Sequence, residues 1–350
     1  MLNIDNTIPI FRYESKNFNF HLNDCNKRDS EFDTVLMKKW LQAESDGVFR
    51  YNLKIAEWKI LEGKHHYLVQ LNLDRVWNRR KPENISSMLQ PFDASRFNFT
   101  KLPNREIFFD IGDGSGNDII AGNVSPIESG HCLLLHQRFQ CLSQQVTKNS
   151  LCKALELLLL SNSPYLRIIF NSLCAHASVN HLHWHLYYLK HQMPLECIEI
   201  SELIHPVFLL TNVPSNGFCL KLSSFSGNSI DCLNQLTFWV YLIVDYLQKH
   251  EIAHNVYITR AKTKPNESIY DDVRIYIWAR KSSCGVKNTT AFVPAVSELF
   301  GHIVTGTEEA YRNLNENTIA EILTDITEDT FNAVKGEIFN LVKKNVSNDI

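Results

Sequence analysis

Residues 177–189 carry histidines at alternate positions, His181, His183 and His185, within a segment of apolar and aromatic residues. The segment contains neither glycine nor proline, which is typical of a β-strand. Because side chains on a strand alternate between its two faces, the three imidazoles are predicted to share one face. Three imidazoles on one face suit a dry core poorly, so the pattern indicates chemistry, either metal binding or attack on phosphorus.

Composition limits the class of protein. The chain has 350 residues, of which 44% are hydrophobic, so it can form one large domain or two medium ones. Its formal net charge of −3 predicts no general attraction to nucleic acid or to an anionic membrane, so an anion site needs a local basic patch. The first residues lack the pattern of a signal peptide, and no apolar run reaches membrane-spanning length.

The cysteine pattern bears on the cellular compartment. The nine cysteines are odd in number, scattered along the chain, and form no Cys-x-x-Cys pair. This pattern argues against a disulfide framework and against a thiolate zinc site. We therefore expect a soluble protein of the reducing cytoplasm.

The two halves of the chain have a similar order of predicted elements. Each contains several strand patterns around one long helical pattern, at residues 144–160 and 233–249. A weak internal echo, in which residues 124–134 and 293–304 both run from a proline to Gly-His and an apolar stretch, also favours duplication. We predict an α+β fold in which two related antiparallel-sheet halves pack together with their helices. The predicted divisions are residues 1–50 as an N-terminal extension, 51–195 as the half with the three histidines and 196–350 as the half without them.

Three interpretations of the histidines remain open from the residues alone. They can be structural side chains satisfied by hydrogen bonds, they can share a zinc ion, or one of them can be a nucleophile. No acidic or cysteine ligand lies at a fixed spacing, and Asn171 and Ser178 just upstream can supply donors around a phosphate. This context favours phosphorus chemistry, although each of these two residues alone is more typical of a turn.

A basic cluster in the first half is the candidate anion site. Arg75, Arg79 and Arg80 lie close together in the sequence. Guanidinium groups are suited to binding a diphosphate and an incoming phosphate. A solvated basic loop is the alternative interpretation.

Several segments together resemble a known family. The run Ala177-Ser-Val-Asn-His-Leu-His-Trp-His185, with Asn171 before it, is similar to the histidine-triad superfamily, and more narrowly to the branch that holds plant GDP-L-galactose phosphorylases and animal GDP-D-glucose phosphorylases. Plant members have Gln at the third triad position, so His185 places the chain nearer the animal branch. Further matches are Gln70-Leu-Asn-Leu-Asp-Arg75, Gln90-Pro-Phe-Asp93, Asn123-Val-Ser-Pro-Ile-Glu-Ser-Gly-His131, Trp278-Ala-Arg-Lys-Ser-Ser283 and Glu298-Leu-Phe-Gly-His302.

The resemblance implies a histidine-triad-like fold and a two-step reaction without a metal or cofactor. His183 would be the nucleophile that takes GMP from the α-phosphorus of GDP-D-glucose and releases a sugar 1-phosphate. Inorganic phosphate would then attack the GMP-histidine and release GDP. His181 and His131 would position the site, and His185 would be a support or donor. The alternatives are a histidine-triad hydrolase that uses water, and a zinc- or nucleotide-binding protein without turnover.

Overall fold

The computed structural model describes residues 8–23, 29–283 and 291–346. Its helices are α1 (Glu31–Ser45), α2 (Leu73–Asn78), α3 (Lys148–Leu160), α4 (Ser229–Lys249), α5 (Val296–Leu299), α6 (Glu308–Asn313) and α7 (Glu316–Val346). Its strands are β1 (Leu22–Asn23), β2 (Glu57–Ile60), β3 (Leu68–Leu71), β4 (Ile107–Asp110), β5 (Ile119–Gly122), β6 (Cys132–Leu135), β7 (Leu166–Asn171), β8 (Trp184–Tyr188), β9 (Ile200–Ile204), β10 (Val207–Leu210), β11 (Phe218–Lys221), β12 (His254–Ala261), β13 (Ile269–Tyr270), β14 (Asp272–Ala279) and β15 (His302–Thr305). None of these helices combines the length and the apolar character that crossing a membrane requires.

A ten-stranded antiparallel sheet joins both halves of the chain. Its strand order is β4-β5-β6-β8-β7-β12-β14-β11-β10-β9, so the halves meet where β7 pairs with β12. Each half supplies a three-stranded meander, then one long helix, and then two further strands of this sheet. The α+β fold with two antiparallel-sheet halves is therefore confirmed, and the two halves form one continuous sheet.

The internal echo, however, aligns the wrong segments. Residues 124–134 lead into β6 of the large sheet, whereas residues 293–304 lead into β15 of a separate three-stranded sheet. There β15 runs parallel to β3, a strand of the first half. The strand that matches β6 by its place in the second half is β11. The echo is misleading because the chain after β14 returns to the first half and pairs with β3.

The large sheet separates two apolar layers. Along β12, Val256 and Ile258 belong to the layer that contains α3 and α4, while Tyr257 belongs to the layer that contains β3 and β15. The same alternation holds on β8, where Trp184 packs with the first layer and Tyr187 with the second. The predicted opposition between the apolar side chains and the histidines is thus correct for β8.

The cysteines depart from the expectation at one position. Cys174 is disulfide-bonded, which a reducing compartment and the absence of a disulfide framework did not lead us to expect. Sequence spacing carries no information about which thiols a fold brings within bonding distance, which explains the difference. Free thiols among the described cysteines are Cys132, Cys141, Cys152, Cys197, Cys219 and Cys232. Cys25 and Cys284 lie outside the described residues.

The environment of His254, at the start of β12, predicts that part of the stability of the fold is lost in acid. Its Nδ1–H donates to the Ile252 carbonyl at 2.9 Å, and its Nε2 is buried with no hydrogen-bond partner among the described residues. Burial lowers the pKa of His254 from 6.5 to about 4, so the unfolded chain takes up this proton first as the pH falls. The stability linked to His254 is therefore complete above pH 6.5 and is lost as the pH falls toward 4.

A phenylalanine at this position keeps the ring and removes the titration. Between pH 6.5 and about 4.5, the free energy of unfolding should fall less in His254→Phe than in the unmodified protein. The difference should be about 2 to 3 kcal/mol, because uptake of one proton contributes about 1.4 kcal/mol per pH unit. The ring of Phe170 already stacks on His254, with ring centroids 6.1 Å apart. Urea unfolding at both pH values measures the difference, and equal losses in the two proteins would contradict it.

Candidate active site

A cavity of about 390 Å³ lies between the two halves of the chain. From the first half it is lined by Arg75, Arg79, Arg80, His131, Asn171, Ser178, His183 and His185, among others. From the second half it is lined by residues that include Phe292, Ser297, Glu298 and Thr305. Of the predicted site residues, only His181 is not part of the lining. The structure thus brings together groups that are separated by more than a hundred positions in the sequence.

His183 is held as a neutral imidazole with a defined tautomer. Its Nδ1 lies 2.7 Å from the His181 carbonyl oxygen, and because a carbonyl can only accept, Nδ1 carries the hydrogen. The other nitrogen, Nε2, therefore has a free lone pair. Burial lowers the pKa of His183 to about 4, so the ring stays neutral near pH 7. A neutral, buried ring nitrogen beside a cavity has the properties of a nucleophile.

The backbone around His183 is irregular, which corrects one prediction. β8 begins at Trp184, so His181 and His183 precede the strand, and the prediction of one strand that carries all three histidines within residues 177–189 is wrong for this part. Instead, the Leu182 N–H donates to the Leu142 carbonyl. A side-chain amide, that of Gln144, takes the place of a neighbouring strand as the hydrogen-bond partner of His183.

Gln144 fixes the position of this backbone. Its Oε1 accepts from the His183 N–H at 2.9 Å, and its Nε2 donates to the carbonyls of His183 at 3.1 Å and of Asn171 at 3.0 Å. The Gln144 side chain is buried, and its own N–H donates to Asn180 Oδ1 at 3.0 Å. One amide therefore ties the nucleophile segment to the end of β7.

If His183 is the nucleophile that its geometry suggests, we expect Gln144→Leu to slow its reaction by about 10- to 100-fold, because a displacement of the order of 1 Å at a reacting group has an effect of this size. The affinity of the cavity for its ligand should stay unchanged, since Gln144 does not line the cavity. Rapid-quench measurement of a single turnover separates the two quantities. Gln248→Leu is the matched control, because the Gln248 amide bonds both backbone groups of Val146 in the same way, outside the cavity. Equal rates for the two variants would contradict the prediction.

His185 has the opposite tautomer to His183. The Ile127 N–H donates to His131 Nδ1 at 3.0 Å, so the neutral His131 ring carries its hydrogen on Nε2. This Nε2–H donates to His185 Nδ1, 3.1 Å away, which leaves the hydrogen of His185 on Nε2. Asn123 supports the pair, since its Oδ1 accepts from the Ser125 N–H and its Nδ2 lies 3.3 Å from His185 Nδ1.

The charge state of this pair follows from its surroundings. Burial holds the pKa of His185 well below its ordinary value, and the nearby His183, His131 and Arg75 lower it further. Burial and Arg75 likewise hold the pKa of His131 well below 6.5. Both rings are therefore neutral near pH 7. The triad thus offers one ring with a free lone pair, His183, and one ring with an N–H donor, His185.

His181 lies behind the cavity. Its Nδ1 accepts from the Phe99 N–H at 3.0 Å, and the ring is almost completely buried. The Phe99 ring contacts both His181 and His183, with centroids 5.5 and 5.0 Å away. Burial lowers the pKa of His181 to about 4. Its contact with His183 is made through its main-chain carbonyl, whose geometry this packing fixes.

The predicted anion-binding residues occupy a short helix and its C-terminal end. The segment predicted as a basic cluster contains α2, which is capped by Asn72 and ends just before Arg79. The Arg75 guanidinium donates to the Ser125 carbonyl at 2.7 Å, beside the imidazole pair. The Arg80 guanidinium lies over the Phe97 ring, 3.5 Å from its centroid. These groups give the cavity a positive wall.

Asn171 connects the two halves at the cavity. Its Oδ1 accepts from Asn255 Nδ2 at 2.7 Å and from the Val296 N–H, at the start of α5, at 3.2 Å. The Asn171 side-chain oxygen thus already accepts two hydrogen bonds from the protein. The side-chain amide nitrogen is the group that can donate to a ligand. Ser178 lines the cavity and accepts through its carbonyl from the Glu83 N–H.

The arrangement of the imidazoles does not fit a metal site. Within residues 8–23, 29–283 and 291–346, no group of three or more His, Cys, Asp or Glu side chains has a geometry that could hold a metal ion. The hydrogen bond between His131 and His185 also occupies a nitrogen that a metal would need unprotonated and free.

Sequence reasoning did not identify several residues of the site. Gln144 carries no pattern of its own, and its role depends on contacts across 39 positions. Asn123 lies in a segment that carries the family resemblance, which was a usable signal. The lining residues of the second half, such as Phe292 and Ser297, depend on how the halves pack, which no local pattern reveals.

Comparison with known proteins shows which family the chain resembles. Residues 31–187 match the family described as GDPGP1-like, N-terminal domain, and residues 191–345 match its C-terminal domain. The chain is 39% identical over 311 residues to the human protein named GDP-D-glucose phosphorylase 1, covering 85% of this chain and 79% of that one. It is 36% identical over 306 residues to the Danio rerio protein of the same name, covering 85% and 87%.

A solved structure supports the fold independently. The crystal structure of yeast Ap4A phosphorylase Apa2 in complex with AMP has a TM-score of 0.61 to this chain at 15% identity, covering 85% of this chain and 96% of that one. At this identity the likeness concerns the fold alone. Together, the two matched domains and the curated relatives show that the chain belongs to the GDPGP1-like family.

Proposed function

We propose that the protein transfers GMP from GDP-D-glucose to inorganic phosphate through a covalent guanylyl-histidine at His183. The observation that carries this proposal is the hydrogen bond from His183 Nδ1–H to the His181 carbonyl, which leaves Nε2 as an unprotonated nucleophile. The relatives named GDP-D-glucose phosphorylase 1 support the choice of substrate and acceptor.

In the first step, His183 Nε2 attacks the α-phosphorus of GDP-D-glucose. A P–N bond forms, the bond from the α-phosphorus to the bridging oxygen breaks, and glucose 1-phosphate leaves with the electron pair. The ring then carries positive charge, which the His181 carbonyl stabilises through the Nδ1–H. Because a sugar phosphate is a weakly basic leaving group, no strong general acid is required.

In the second step, an oxygen of inorganic phosphate attacks the α-phosphorus of the GMP-histidine. The P–N bond breaks, its electron pair returns to His183 Nε2, and GDP is released. The two steps regenerate the neutral imidazole, so the reaction is ping-pong.

The other predicted residues have supporting roles in this proposal. The His185 Nε2–H donates to a phosphate oxygen, and His131 fixes this tautomer by donating to His185 Nδ1. Arg75, Arg79 and Arg80 neutralise the charges of the diphosphate and of the incoming phosphate.

The proposal also covers organisation and location. The reacting groups belong to residues 51–195, and residues 196–350 form a second half that closes the cavity but carries no triad. We place the protein in the cytoplasm, which the six free thiols among the described cysteines support, whereas the disulfide-bonded Cys174 does not. Because the net charge is −3, the protein as a whole does not attract nucleic acid. The net charge therefore supports small anions as the ligands of the positive wall.

A panel of GDP-sugars tests the proposal. GDP-glucose, GDP-mannose and GDP-galactose are each incubated with and without phosphate, and GDP and sugar 1-phosphate are measured. Neither proposed step uses a metal ion, so EDTA should have no effect. We expect equal amounts of the two products, dependence on phosphate, and the fastest reaction with GDP-glucose. Equally fast release of GMP without phosphate would make the protein a hydrolase, and zinc bound to the triad without turnover would make it a binding protein.

A further inference from the structure

One end of the cavity has the character of a pocket for a flat base. It is lined by Phe99, Leu102, Leu133 and Val179, which belong to one apolar cluster. Leu133 lies opposite His185 in the pairing of β6 with β8, and the Phe99 ring contacts His183. This apolar end therefore adjoins the imidazoles.

A single carboxylate, that of Glu106, lies at this end. Glu106 precedes β4, lines the cavity and is only 8% exposed. Among the residues that the structure describes, none donates a hydrogen bond to its carboxylate, and none forms an ion pair with it. Among the cations that lower the pKa of Glu106, Arg80 has the largest influence. The Arg80 guanidinium stacks on the Phe97 ring, and Phe97 packs against Phe99.

Although Glu106 is largely buried as a residue, its carboxylate oxygens are not among the fully buried polar atoms that lack a partner, so they are open to the cavity that the residue lines. Burial raises the pKa of Glu106, while the charges of Arg80, Arg105 and Arg50 oppose the rise and favour the ionised form. The other buried carboxylate of the cavity, Glu298, differs because it accepts from the Ala295 N–H and from Ser297 Oγ. Glu106 is therefore the carboxylate of the cavity whose oxygens can accept from a ligand.

We propose that Glu106 reads the guanine base, with its two oxygens accepting from the N1–H and the N2 amino group. This assignment rests on the proposed function, and it names the residue that selects the base. Guanine presents two adjacent N–H donors, which match the two oxygens of one carboxylate. Adenine presents an acceptor at N1, so its lone pair would face the carboxylate and leave both groups without a partner. Glu106 thus favours guanine and disfavours adenine with the same contact.

Ligands that differ in these donors test the assignment on the free protein. Isothermal titration calorimetry with GDP, IDP and 1-methyl-GDP gives their affinities without any need for turnover. IDP lacks the N2 amino group, and 1-methyl-GDP lacks the N1 hydrogen. We expect each to bind the unmodified protein about 10- to 100-fold more weakly than GDP, the size of one hydrogen bond to a charged group. Equal affinities of GDP and 1-methyl-GDP would overturn the assignment, and this comparison needs no variant.

The Glu106→Gln variant tests the residue itself. We expect its preference for GDP over IDP to fall to about threefold or less, because a neutral amide offers only one acceptor. The control is Glu57→Gln, an exposed glutamate on β2, which should keep the full preference. If Glu106→Gln weakens the binding of GDP and of IDP by the same factor, the carboxylate contacts the ribose or supports the fold, and the assignment is wrong.

The two proposals fail in different ways. Phosphorolysis with a base preference that does not depend on Glu106 would overturn only this inference. A preference for GDP that does depend on Glu106, in a protein without phosphorolysis, would overturn only the proposed reaction. Absence of binding for all three nucleotides would contradict both.

Discussion

Replacement of His183 by alanine is expected to lower turnover on the order of 10⁴- to 10⁶-fold and to abolish covalent labelling by GDP-glucose. The reason is that in the proposed mechanism Nε2 of this ring forms the bond to phosphorus, while its Nδ1–H donates to the His181 carbonyl. The other two triad imidazoles are not expected to substitute, because His181 does not line the cavity and His185 Nδ1 accepts from His131, which leaves the hydrogen on His185 Nε2. Labelling with GDP-glucose that carries ³²P at the α-position measures the covalent step directly.

The control for this prediction is His250→Ala. His250 is exposed at the end of α4, where its Nδ1–H donates to the Tyr246 carbonyl, and it should label normally. Circular dichroism should show that both variants are folded. Labelling retained at normal stoichiometry by His183→Ala would assign the nucleophile to another residue.

Replacement of Arg75 by methionine is expected to lower kcat/KM by about 10²- to 10³-fold, the usual effect of removing one preorganised donor from a transition state with developing charge. Arg75 is singled out because it lines the cavity and its guanidinium donates to the Ser125 carbonyl, beside His131 and His185. Steady-state kinetics with GDP-glucose and phosphate gives the value.

Two further variants separate charge from geometry at this position. Arg75→Lys keeps the charge but not the planar fork, so its loss should be intermediate. Arg312→Met removes an exposed arginine that pairs with Glu308 outside the cavity lining, and it should have little effect. A loss of about fivefold or less in Arg75→Met, the size expected for an exposed ion pair, would mean that Arg75 does not contact the reacting phosphates.

Much of the site could be predicted because its residues lie in recognisable local patterns. The alternation of histidines with apolar side chains placed His185 and Trp184 on opposite faces of β8, since a strand has only two faces. The basic cluster was predicted from density of charge alone, and its arginines do line the cavity. The α+β fold followed from the spacing of strand and helix patterns.

The parts that could not be predicted depend on contacts between distant segments. The tautomers of His183 and His185 are set by a main-chain carbonyl and by His131, and neither contact has a sequence signature. The strand prediction was too long because Gln144 replaces a neighbouring strand as the partner of the His183 backbone. The internal echo was misleading because similar short segments can enter different sheets.

Labelling in the absence of phosphate tests the central claim most directly. The protein is mixed with GDP-glucose that carries ³²P at the α-position, without phosphate, and acid-stable and acid-labile protein label are counted over time. The covalent mechanism predicts a burst of one acid-labile label per active site, with release of one glucose 1-phosphate, and rapid conversion of the label to GDP when phosphate is added. Phosphate-dependent turnover with no protein label, or with label that phosphate does not discharge, would contradict the account.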